Sequence, residues 1–287
     1  MPKAALNGIE IHYEVHGEGT PLVLAHGYTA SLEMWRDQVP AFSSQYRLVI
    51  YDCRGHGAST APAGLDRYSL ARDYVGDQLA LMDHLGIDRA YVGGLSMGGM
   101  IAQEFVLQHP ERVSAALLFD TGPGMGAVAR DPAFAARFGQ MRETMQALAR
   151  TKGMGAIIDA MRNSPMTFRP PPGTPVPEGV RRHVENMRQM SVDGYLGGGK
   201  ALQDWAGSLD RLHQITAPAL VLVGEHDALL PASRLIHERI AGSRFALLRN
   251  SGHGTNLWRP EAFTRATMDF LADVDARRPV AGEIIVP

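Results

Sequence analysis

A doubly wound, mostly parallel α/β sheet with an inserted helical cap is the architecture that this 287-residue chain predicts. Short apolar runs at residues 21–25, 47–51, 90–95 and 113–119 alternate with helix-period segments, the pattern of parallel strands joined by crossovers. The same pattern resumes at residues 219–223 and 245–248. Between these halves, residues 121–209 hold no strand-like run. The length suits one sizeable core with an insertion, so residues 1–120 and 210–287 are assigned to the core domain and 121–209 to a helical cap, or lid.

The elements follow in chain order. Asn7-Gly8, ahead of alternating Ile9, Ile11, Tyr13 and Val15, predicts an opening hairpin, because this pair tolerates the positive φ of a tight turn. Ser69 is the expected N-cap of a helix whose stripe of Tyr74, Val75, Gln78, Leu79, Met82 and Leu85 ends at Gly86. In the cap, residues 134–150 and 180–189 read as helical, whereas the proline-rich run over 169–177 predicts an extended loop. A last helix starts at Pro260 and carries Phe263, Thr267 and Phe270.

Composition removes several function classes. Hydrophobic residues make up 45% and charged residues 20%, an ordinary globular balance. A net charge of -2 gives no electropositive field, so nucleic acid is not an expected partner. Cys53 is the single cysteine, which excludes an internal disulfide and a cysteine-built zinc site. No signal-peptide pattern opens the chain and no apolar run reaches the length of a membrane span, so a cytoplasmic location is expected.

The chemistry-bearing residues sit where strands end. Gly94-Leu95-Ser96-Met97-Gly98 follows an expected strand and opens an expected helix, the setting of a serine on a sharp strained turn. A serine hydroxyl needs a neighbouring base, and His253, in a loop just past the last expected strand, is the candidate. His109, His183 and His237 fall on helices and read as solvated surface. Asp227 ends the preceding strand and is the expected partner of the histidine; Asp120 is the rival acid, with capping as its other reading. Backbone N–H groups of Tyr28 and Met97 are placed to form an oxyanion hole, and His26 reads as a structural hydrogen-bonder.

Together, His26-Gly27-Tyr28, the segment Tyr51-Asp52-Cys53-Arg54-Gly55-His56-Gly57-Ala58-Ser59, the Ser96 elbow and the acid and base motifs resemble the α/β-hydrolase superfamily, over nearly the whole chain outside the cap. The Arg54 segment and Ser96-Met97-Gly98-Gly99-Met100 are similar to the group of carboxylesterases, enol-lactonases, cofactor-free haloperoxidase-type perhydrolases and carbon-carbon bond hydrolases. That resemblance implies that residues 52–59 are scaffold. The chain departs from the carbon-carbon hydrolases in carrying Tyr28-Thr29-Ala30-Ser31 after the His-Gly pair, and from enol-lactonases that replace that pair with polar residues.

The expected activity is therefore cleavage of a carboxylic ester or lactone, a small-molecule substrate, through an acyl-enzyme on Ser96 with no cofactor and no metal. The alternatives are carbon-carbon hydrolysis or perhydrolysis on the same residues, or a ligand sensor on this fold. The cap holds 8 of the 14 methionines. Met125, Met145, Met161 and Met187, with Trp205, are accordingly expected to line a substrate pocket. Arg181, Arg182 and Arg188 offer the option of meeting an acidic substrate.

Overall fold

A computed structural model describes residues 2–124, 132–162 and 174–287. Strands β1 (Lys3–Leu6) and β2 (Ile9–His16) form the opening hairpin, with Asn7 and Gly8 both at positive φ (49° and 73°), as a two-residue turn matched to strand twist requires. Then come β3 (Thr20–Ala25), α1 (Val39–Ser43), β4 (Tyr46–Tyr51), α2 (Val75–His84), β5 (Ala90–Leu95), α3 (Met97–Gln108) and β6 (Val113–Phe119). A helical segment follows: α4 (Pro132–Arg162), broken at Gly153, then α5 (Glu178–Arg188) and α6 (Val192–Asp204). The core resumes with β7 (Ala219–Gly224), α7 (Leu230–Arg239), β8 (Arg244–Leu248), α8 (Thr255–Trp258), α9 (Pro260–Asp275) and β9 (Gly282–Val286). No helix among the described residues is long and apolar enough to cross a membrane.

The strands make one sheet in the order β1-β2-β4-β3-β5-β6-β7-β8-β9, parallel from β4 to β9. Its period-two pattern divides the core in two. Val23, Ala25, Val92, Leu118 and Val221 face α2, α3 and α7, meeting Val75, Met82, Phe105 and Ile236. Leu22, Leu24, Leu117, Phe119 and Leu222 face the other way, onto Phe42 of α1 and Phe263 and Phe270 of α9.

Three features differ from the sequence expectation. The helix capped by Ser69 starts with a wider π turn, Leu70–Tyr74, before α2 proper. Strand β9 extends the sheet by one edge strand; its outer residues Ile284 and Ile285 are exposed, so it lacks the apolar alternation that marks a buried strand. Helix α6 contains Gly197-Gly198-Gly199, a run that helix propensity argues against. Packing overrides propensity there: a Cβ on Gly197 would lie 2.5 Å from the Tyr68 ring and one on Gly198 would lie 2.9 Å from the Tyr28 ring. Of the proline-rich run, residues 169–173 lie outside the described residues, and 174–177 form no regular element.

Phe263 is fully buried, with its ring centroid 4.7 Å from Phe119 and 6.2 Å from Trp35. Phe263→Ala is expected to lower unfolding stability by about 3–5 kcal/mol in urea denaturation; a loss below about 1 kcal/mol would contradict this packing.

Candidate active site

Strand β3 pairs with β4 on one side and β5 on the other, so the winding of the sheet reverses between β3 and β5. Loops diverge there at the carboxyl ends of the strands and leave a crevice. The expected nucleophile, base and both candidate acids emerge on that edge with Tyr28: Tyr28 after β3, Ser96 after β5, Asp120 after β6, Asp227 after β7 and His253 after β8.

Ser96 occupies φ 57°, ψ −112°, a conformation costly for any residue with a side chain. Its surroundings hold it there. The Ser96 N–H donates to the Phe119 carbonyl at 2.9 Å, and the Thr121 hydroxyl donates to the Ser96 carbonyl at 2.8 Å. Flanking glycines are required by space: a Cβ would sit 2.5 Å from the Ala25 carbonyl oxygen at Gly94 and 2.1 Å from it at Gly98. At Gly99 it would meet the Thr121 side chain at 2.7 Å.

The His253 Nδ1–H donates to Asp227 Oδ2 at 2.9 Å, and Asp227 Oδ1 accepts the Leu229 N–H at 2.9 Å. This pairing places the proton on Nδ1 and leaves Nε2 as an acceptor. Burial pulls the imidazole pKa down, but the charge and hydrogen bond of Asp227 outweigh it, with help from Asp120, and raise it above the usual range. The ring is 43% exposed, so solvent screens part of that effect.

Asp120 does more than cap a segment. Its Oδ2 accepts the Gly254 N–H at 3.0 Å, the Thr255 N–H at 2.7 Å and the Thr255 hydroxyl at 2.8 Å, while Oδ1 accepts the Gly224 N–H at 3.2 Å. One buried carboxylate thus ties the β7 end to the loop that carries His253. Burial and the neighbouring charge of Asp227 push its pKa up, against the pull of His253 and Thr255.

On the β3 side, His26 Nε2 accepts the Cys53 N–H at 2.9 Å and Nδ1–H donates to the Gly27 carbonyl at 2.8 Å, so both ring nitrogens are engaged in scaffold bonds. Asp52 accepts from His12 Nδ1 at 2.7 Å, Leu32 N–H at 2.7 Å and Ala58 N–H at 2.9 Å, fixing the loop beyond Tyr28. Met97 is the first residue of α3, next to Ser96 and buried. The Tyr28 hydroxyl donates to the Tyr195 carbonyl of α6 at 2.5 Å.

A cavity of about 110 Å³ joins these parts, lined by Gly27, Tyr28, Ser96, His183, His253 and Trp258 together with apolar Ala30, Met34, Leu95, Val180 and Leu257. This corrects two expectations. His183 is not solvated surface: α5 rests on α8 and on the 3₁₀ turn Leu32–Trp35, which turns its inner face to the cavity. Among the described residues, none of the methionines of 121–209 lines this cavity. Met145 packs on the cap's own cluster of Ala149, Met154, Ile157, Met190, Tyr195 and Leu196. Met187 is buried on α5, Met161 is 38% exposed, and Trp205 belongs to the main core and lines a separate cavity with Tyr68 and Arg211. Met145, Met154 and Met190 thus belong to that cluster rather than to the cavity wall. Met125 lies outside the described residues.

The arginines offered for an acidic substrate are each paired with a carboxylate: Arg181 with Glu178 at 2.8 Å, Arg182 with Asp37 at 2.8 Å and Arg188 with Glu185 at 3.6 Å. Among the described residues, no cluster of His, Cys, Asp and Glu is arranged to hold a metal ion.

Residues 20–260 match the model of the alpha/beta hydrolase fold family. The chain belongs to that family. It is a hydrolase by that membership, and known relatives agree over almost its full length. The chain is 29% identical over 263 residues to 3-oxoadipate enol-lactonase 2 of Acinetobacter baylyi, covering 90% of this chain and 91% of the relative. Among solved structures, it matches the enol-lactonase from Burkholderia xenovorans with a TM-score of 0.83 and 32% identity, over 94% of this chain and 100% of the other. A thermophilic esterase from Thermogutta terrifontis gives a TM-score of 0.78 at 26% identity, over 95% and 98% of the two chains.

Within this α/β-hydrolase, sequence reasoning missed the full role of Asp120 and the placement of His183. Asp120 did leave a signal, its position at the end of a central strand. An amide at position 120 has one acceptor oxygen and one donor group, so Asp120→Asn leaves at least one of the bound N–H groups facing an –NH₂. The expected loss is about 1–3 kcal/mol of unfolding stability. Urea denaturation checks it, and an unchanged midpoint would show that these bonds do not hold the loop.

Proposed function

We propose that the protein is a serine hydrolase that cleaves a short-chain carboxylic ester or lactone through an acyl-enzyme on Ser96. The observation that carries this reading is the shared cavity of Ser96 and His253, with His253 Nδ1 held on Asp227 at 2.9 Å. Ser96 Oγ attacks the carbonyl carbon as its proton passes to His253 Nε2, and the Tyr28 and Met97 N–H groups receive the charge that develops on the carbonyl oxygen. The carbonyl–oxygen bond to the alcohol then breaks, and His253 returns the proton to the leaving alkoxide. Water repeats the sequence on the acyl-enzyme: it adds to the carbonyl, gives its proton to His253, and the acid departs as Ser96 is reprotonated. The esterase and enol-lactonase relatives support this bond class.

The volume of about 110 Å³ lies well below that of sites for drug-sized ligands, roughly 300 Å³ and up, which favours a small acyl group. Initial rates on p-nitrophenyl esters from acetate to palmitate are expected to peak between acetate and hexanoate. Ser96→Ala should abolish turnover while leaving the melting temperature nearly unchanged, because it removes one hydroxyl and keeps the strained turn; residual turnover at the wild-type rate would sink the assignment.

The pH dependence has a defined sign. His253 acts only when its Nε2 is unprotonated, and Asp227 raises the imidazole pKa, so the acid limb of kcat/KM should lie above the ordinary 6.5. Asp227→Asn removes that charge, moves the limb to lower pH and lowers kcat by about 10⁴-fold through loss of the correct tautomer. A limb that stays in place in the variant would exclude His253 as the titrating base.

A further inference from the structure

Among the described residues of the cavity wall, His183 is a polar side chain that the proposed chemistry leaves unused. It stands on α5 one turn beyond Val180, and both residues line the cavity with Ser96 and His253. On the same helix Arg181, Arg182 and Arg188 each pair with a carboxylate. Among the described residues, nothing exchanges a hydrogen bond with either ring nitrogen of His183. Two polar atoms without partners among the described residues thus stand in a wall that is otherwise mainly Ala30, Met34, Leu95, Val180 and Leu257.

Burial and the nearby His26 and His253 hold the His183 pKa down, at about 4. At neutral pH the ring is therefore uncharged, one nitrogen donating and the other accepting. Such a ring is a poor receptor for a carboxylate, which gains most from a cationic partner. It is well suited to a hydroxyl or a carbonyl oxygen. An unpaired polar group in an apolar site discriminates against ligands that cannot satisfy it, because desolvating it uncompensated is costly.

We propose that His183 is a specificity-determining residue that hydrogen-bonds an uncharged hydroxyl or keto oxygen carried by the substrate within a few atoms of the scissile carbonyl. This rests on the serine-hydrolase reading above, and it names the substrate class more narrowly: a short oxygenated ester or lactone rather than a plain or an acidic one.

The test compares isosteric substrate pairs that differ only in the oxygen. The acyl side is probed with p-nitrophenyl 3-hydroxybutyrate against 3-methylbutyrate, and the alcohol side with 2-hydroxyethyl butyrate against propyl butyrate. Wild type is expected to favour the hydroxylated member of at least one pair, and the arm that responds locates the oxygen. His183→Phe should shrink that kcat/KM ratio about tenfold, chiefly through KM, and His183→Asn should restore part of it. His183→Leu serves as a second apolar variant, with thermal melting confirming the fold of each. No preference in either pair, or a ratio that survives the apolar variants even as both rates fall, overturns the assignment and marks His183 as wall packing. Mass gain from a fluorophosphonate separates the underlying reading: Ser96 should be labelled in wild type and His183→Phe but not in Ser96→Ala, and absence of labelling in wild type overturns the serine-hydrolase reading and this proposal together.

Discussion

The approach of the Ser96 turn to the end of β3 is the constraint on which the rest of the site depends. Gly94 and Gly98 bring two stretches of backbone within a side chain's width of the Ala25 carbonyl. That contact sets where α3 starts and how far Ser96 stands above the sheet. It also sets the spacing between the N–H of Met97 on α3 and the loop that continues from Ala25 into Gly27 and Tyr28. A strained residue costs about 1–3 kcal/mol, and it persists only where neighbours over-determine it. Here the Phe119 carbonyl, the Thr121 hydroxyl and the packed glycines do so.

Two carboxylates at the same edge divide the work by their hydrogen bonds. Asp227 spends one oxygen on Leu229 N–H and presents the other to His253. Asp120 turns both oxygens to the backbone and hydroxyl donors of Gly224, Gly254 and Thr255, and makes no bond to His253. In the structure the histidine bond goes to Asp227, while Asp120 gathers the donors around it. Because Asp120 sits beside both partners of the His253–Asp227 pair, its charge also adds to the field that raises the imidazole.

Most of the sheet was legible in the sequence because parallel strands are buried on both faces, and residues 90–95 and 113–119 stand out as unbroken apolar runs. The strand-end residues Ser96, Asp227 and His253 were legible because each follows such a run. What was not legible depends on which surfaces meet. Strand β9 is an edge with exposed Ile284 and Ile285 and carries no pattern. Helix α6 gave no helical signal, because Gly197-Gly198-Gly199 weakens one, and its packing against the rings of Tyr28 and Tyr68 is visible only in the structure. His183 and its neighbouring arginines look alike along the chain, and only the seating of α5 on Leu32–Trp35 and α8 separates the cavity-facing side chain from the paired ones.

The seating of the cap and the geometry of the core are joined through Tyr28. Its backbone belongs to the loop after β3, beside Ser96, while its ring stacks on Tyr195 at 5.3 Å between centroids and its hydroxyl bonds to the Tyr195 carbonyl. Glycines at 194, 197, 198 and 199 let α6 approach Gly55, Tyr68 and Tyr28 this closely, so this part of the cap cannot slide without disturbing the loop that carries the Tyr28 N–H. A side chain added anywhere along that glycine face would act at a distance on the proposed oxyanion site, although none of those residues borders the cavity. This helical segment is in this respect a structural part of the proposed site, and α5, which brings Val180 and His183 to the cavity, is separate from the contact that α6 maintains.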